Sequence, residues 1–99
     1  MRNGQRFTAT RDLVAGKTRL HRAKIDGEVV FIDGMYSWDG DALVPFTPEN
    51  FKRAKRMLGR EVSIRGIGQV LVEIVENLGD DDIAIQIVST GKFTIPKGK

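Results

Sequence analysis

Three Asp-Gly pairs, Asp26-Gly27, Asp33-Gly34 and Asp39-Gly40, interrupt runs of β-forming residues between Leu20 and Phe46. Asp-Gly tolerates the positive φ of a type I′ turn, so each pair is a hairpin signal. The runs between them, residues 20–25, 28–32, 35–38 and 42–46, read as short strands, with the first turn expected at 26–27. The 33–34 pair also fits a bulge, because four residues are few for the strand that follows. An earlier strand is expected over residues 6–10, with 14–18 as a loop.

One segment breaks this pattern. Thr47-Pro48-Glu49 places a hydroxyl at the N-cap, proline at the first helical position and an acid in the first turn, and Gly59 suits the residue after a helix end. Phe51, Ala54, Met57 and Leu58 form one apolar stripe, while Lys52, Arg53, Lys55 and Arg56 occupy the opposite side. A helix is therefore predicted over residues 48–58. After Gly59 the period returns to two. Val62 and Ile64 alternate with polar residues, residues 69–77 form a longer run, and Ile83, Ile85 and Ile87 give the cleanest strand pattern. Turns at 66–68, 78–81 and 89–91 make residues 61–96 a four-stranded meander.

At 99 residues the chain has the size of one domain, β-rich over 6–46, helical over 48–58 and β again over 61–96. The expected class is α+β, mostly β: a curved antiparallel sheet or small barrel, resembling OB and SH3 barrels in size only.

Several chemistries find no support. The chain has no cysteine and a single histidine, His21, so no thiolate centre or three-histidine zinc site is available. Gly16-Lys17-Thr18 ends like a phosphate-binding loop, but Arg11 stands where that motif needs glycine. Gly66-Ile67-Gly68 is followed by Leu71 and a strand, not by a third glycine and a helix. The acids Asp80, Asp81 and Asp82, like Asp39 and Asp41, lack the frame of a calcium loop. If residues 20–25 are extended, His21 shares a face with Ala23 and Ile25, and no nucleophile motif accompanies it. The reading is non-enzymatic, with no cofactor and no metal. The longest apolar run, residues 29–32, is far below the roughly 20 residues of a membrane helix. With no apolar leader either, a cytoplasmic location is expected.

What remains is charge. Residues 1–24 hold seven basic side chains and one acid, residues 25–50 six acids and no base, residues 51–66 six bases and one acid, and residues 67–90 five acids and no base. Sorting on this scale implies opposed surfaces. The leading expectation is a nucleic-acid-binding module, DNA or RNA, whose phosphate contacts are Arg22 and Lys24 on a strand and Lys52, Arg53, Lys55 and Arg56 on the helix. Arg2, Arg6, Lys97 and Lys99 would add mobile contacts. The alternative is a protein-interaction subunit, an inhibitor, adaptor or assembly component of bacterial or phage kind. It would dock by complementary charge, with homo-oligomers as one outcome; Tyr36 and Trp38, two apart on one face if extended, read either as core residues or, under this alternative, as its surface anchors.

Overall fold

The computed structural model describes residues 1–79 and 81–96. Asp80 and the anticipated contacts at Lys97 and Lys99 lie outside these residues. The elements are β1 (Arg6–Ala15), β2 (Thr18–Ile32), β3 (Met35–Pro45), α1 (Pro48–Met57), β4 (Glu61–Ile64), β5 (Gly68–Leu78) and β6 (Asp82–Phe93). Around the ring the order is β1-β2-β3-β6-β5-β4, with β4 returning to β1. Every neighbouring pair is antiparallel. Two three-stranded meanders thus close on each other, joined by the helix. The predicted mostly β α+β architecture holds, with six strands where an OB barrel has five.

Alternation explains the core. Val62 and Ile64 on β4 and Ile83, Ile85 and Ile87 on β6 all point inward, packed with Leu13, Leu20, Ile25, Val29 and Trp38. Helix α1 covers one end of the barrel. Its N-cap Thr47 Oγ1 accepts the Asn50 N–H at 2.9 Å, and Ala54 and Met57 are buried beneath it. Leu58, expected on the apolar stripe, is instead the C-cap and half exposed, because the chain leaves the helix there.

Two of the three Asp-Gly pairs are not turns. Asp26-Gly27 lies inside β2 and Asp39-Gly40 inside β3, so the four short strands are two long ones and only Asp33-Gly34 turns the chain. The reason is packing. Gly27 stands opposite Gly40, and neither has a positive φ. A Cβ at Gly27 would lie 2.5 Å from the Phe7 ring, and one at Gly40 would overlap the Asp26 carbonyl. Gly27 lets the Phe7 and Trp38 rings, 5.0 Å apart and edge to face, settle onto β2, and Gly40 lets the β2 backbone pass close beside β3.

Three other expectations are corrected. The 14–18 loop is only a turn at Gly16 and Lys17, since β1 runs to Ala15. Residues 89–91 continue β6, leaving three strands after the helix, not four. Trp38, proposed as a surface anchor, is fully buried, and Tyr36 alone of that pair is exposed.

Candidate nucleic-acid interface

The candidate cations gather at the helix-capped end of the barrel. Lys52, Lys55 and Arg56 are exposed on the solvent side of α1, and the Lys55 ammonium sits 4.9 Å from the Phe51 ring centre. Arg53 is different. It is half-buried, donates to Glu49 Oε2 at 2.9 Å, and reaches the Arg19 carbonyl on β2 at 3.5 Å. Through it the helix face joins the basic start of β2. A depression of about 420 Å³ lies between His21, Arg22, Lys24, Asn50 and Asp82, bringing the base of the helix beside the two strand cations.

The presentation of Arg22 depends on an irregularity that alternation does not reveal. Arg11 pairs with Ala23 and Leu13 with Leu20, so His21 and Arg22 together oppose Asp12. This is a β-bulge, and it turns both side chains outward, which separates His21 from the face of Ala23 and Ile25 it was expected to share. Arg22 adopts φ 54°, a left-handed conformation that a non-glycine residue reaches at a cost of roughly 1–2 kcal/mol. Asp12 holds it there: Oδ1 accepts the Arg22 N–H at 2.9 Å, and Oδ2 lies 3.1 Å from Arg19 Nη1 and 3.6 Å from His21 Nδ1.

The Arg22 amide, aided by the Arg19 and His21 side chains against partial desolvation, holds the Asp12 carboxyl below its ordinary value of 3.8. Folding thus lowers this pKa. The stabilisation it gives is complete above pH 3.8 and disappears as the pH falls through the depressed value. We expect Asp12→Asn to flatten the acid limb of a stability-versus-pH curve measured by urea denaturation. An unchanged limb would show that Asp12 does not secure the bulge.

Among the described residues only Arg53 of the six candidate cations forms an ion pair; Arg22, Lys24, Lys52, Lys55 and Arg56 form none. The structure adds Arg11, Arg19 and Arg65, which sequence reasoning missed. They join Arg22 around a cleft of about 440 Å³ where β1 meets β4.

Further along β2 the sign reverses. Asp26 stands opposite Asp41, and Glu28 opposite Asp39. Like charges directly across a ladder repel. Among the described residues only Arg6 approaches them, at 3.7 Å from Asp26 and 3.9 Å from Glu28, in exposed pairs worth little. Beyond this acidic wall the β2–β3 hairpin exposes Phe31, Ile32, Met35 and Tyr36, with the Phe31 and Tyr36 rings 4.6 Å apart. A single strand therefore runs from a basic end through an acidic wall to an apolar tip.

Among the described residues, no helix is long and apolar enough to cross a membrane, and no group of three or more His, Asp or Glu side chains is placed to hold a metal ion. No protein family, characterised protein or solved structure matches this chain.

Proposed function

We propose that the protein is a small non-enzymatic binding module that docks its basic end on the phosphate backbone of a nucleic acid. The observation that carries this reading is the row of cations on α1 that form no ion pair among the described residues, continuous through Arg53 and Arg19 with Arg22 and Lys24. A face bearing Lys52, Lys55 and Arg56 with no ion pair among the described residues gains most from an external polyanion, because each phosphate contact releases condensed counterions. Such contacts fix position and orientation but do not read sequence. The acidic wall repels the same polyanion, so the nucleic acid is confined to the helix-capped end.

The test is a salt titration of binding to duplex and single-stranded DNA and RNA. Affinity should fall linearly on logarithmic axes, with a slope set by about five or six contacts. Absence of retention at low salt removes the proposal.

A second reading rests on the exposed hairpin tip. Phe31, Ile32, Met35 and Tyr36 lie close to Asp33, Glu28 and Asp39, a combination suited to a protein partner with an apolar site and a basic rim. Apolar contacts there would persist at salt concentrations that abolish phosphate docking.

A further inference from the structure

We infer that the cleft between β1, β2 and β4 is a discrete seat for one phosphate group, held by the guanidinium groups of Arg11, Arg22 and Arg65. The inference rests on the nucleic-acid reading and names the point where a phosphate is gripped, as distinct from the diffuse attraction of the helix face.

Three independent segments supply the site. Arg11 falls on the core-facing side of β1 by alternation, yet it is only half-buried. Its Nη1 donates to the Thr10 carbonyl at 3.0 Å, and its Nε lies 3.8 Å from where a side chain on Gly66 would begin. Glycine at 66, with φ 80°, makes the tight turn after β4 and leaves space beside that guanidinium. Arg65 precedes this turn and is exposed. Arg22 is swung outward by the bulge, its backbone fixed by Asp12. Thr10 and Ser63 line the same cleft.

The charge balance selects the ligand class. Among the described residues Asp12 is the one acid lining the cleft, and it is engaged by Arg19 and by the Arg22 amide. The guanidinium groups of Arg11, Arg22 and Arg65 form no ion pair among the described residues. A lone carboxylate offers one charge and two oxygens to these three forks. A phosphate offers up to two charges and three or four oxygens, and planar guanidinium groups match it in bidentate fashion. Arginine at every cationic position of the cleft, against the mixture of lysine and arginine on the helix, fits a geometric grip better than a diffuse field.

The experiment titrates inorganic phosphate, with chloride at matched ionic strength as control, into the 15N-labelled full chain. Saturable amide shifts confined to residues 10–12, 19–22 and 63–66 are expected, with the α1 amides unmoved. Arg65→Ala, an exposed turn position, should weaken phosphate about tenfold or more, and Arg65→Lys should recover only part of the loss. Non-saturable shifts, or shifts matched by chloride, overturn the inference. The same variants are then assayed on single-stranded oligonucleotides with and without a terminal phosphate. Weakening by Arg65→Ala of both oligonucleotides supports a seat for an internal phosphate, and weakening of only the phosphorylated one a seat for a chain end. Oligonucleotide binding that ignores Arg65→Ala overturns the inference while the proposed function stands. Saturable phosphate binding in a protein that retains no nucleic acid upholds the cleft as a site for a free phosphate and removes the proposed function.

Discussion

Replacing Trp38 with alanine is expected to cost about 3–5 kcal/mol, a large part of the roughly 5–15 kcal/mol by which a small domain is stable. The indole is fully buried where both meanders meet the Phe7 ring, and no smaller side chain fills that volume. Its backbone N–H donates to Ser89 Oγ at 2.9 Å, just past the point where the β3–β6 ladder ends, so a collapsing core also disturbs that junction. Trp38→Phe separates packing from polarity. The indole Nε1 donates to no protein atom among the described residues, so phenylalanine forfeits volume but no hydrogen bond. It should cost well under half as much as alanine. Urea denaturation followed by far-ultraviolet circular dichroism reads both variants, since Trp38 is the only tryptophan and fluorescence is lost with it. A wild-type midpoint for the alanine variant would contradict the core placement and return Trp38 to the surface as an anchor.

That residue also marks where the sequence stops being legible. Helix α1 was readable because its determinants are local: the Thr47 cap, the Pro48 start and the Glu49–Arg53 pair all act within one turn. The inward set on β6 was readable because a buried face imposes strict alternation on Ile83, Ile85 and Ile87. Asp26-Gly27 and Asp39-Gly40 misled because a glycine needed for positive φ and one needed for close packing, against rings at Gly27 and against backbone at Gly40, look identical in sequence; only the pairing of Gly27 with Gly40 tells them apart. The bulge opposite Asp12 was hidden for a similar reason. One inserted residue shifts the phase of the strand, so the outward position of His21 follows from the β1–β2 register and not from its neighbours in the chain. The sorted charge blocks were visible, but which block faces which was not. Register sets Asp26 against Asp41, and barrel closure brings Arg65 to Arg11 and Arg22. No local pattern encodes either meeting.

Removing Lys52, Lys55 and Arg56 together is expected to weaken nucleic-acid binding and to leave the protein close to its wild-type stability. Three lost phosphate contacts should lower the logarithmic salt slope by about 2.7 for duplex DNA. A drop of that size means that wild type and variant diverge most at low salt, where counterion release contributes most. Stability should hardly move. Lys52 and Arg56 are like charges four residues apart, which costs a helix a few tenths of a kcal/mol, and alanine has the higher helix propensity. Lys55 and Arg56 offset this from the last turn of the helix, where the dipole favours cations, and Lys55 also lies over the Phe51 ring. None of the three is buried or ion-paired among the described residues, whereas Arg53, left intact, keeps its bonds to Glu49 and the Arg19 carbonyl. The triple alanine variant should therefore show a thermal midpoint near that of the wild type beside a shallower salt slope. That combination would assign the three cations to binding and not to the fold. A variant that binds nucleic acid with the wild-type slope would show the helix cations to be solvated surface and move the interface to the bulge and the arginine cleft.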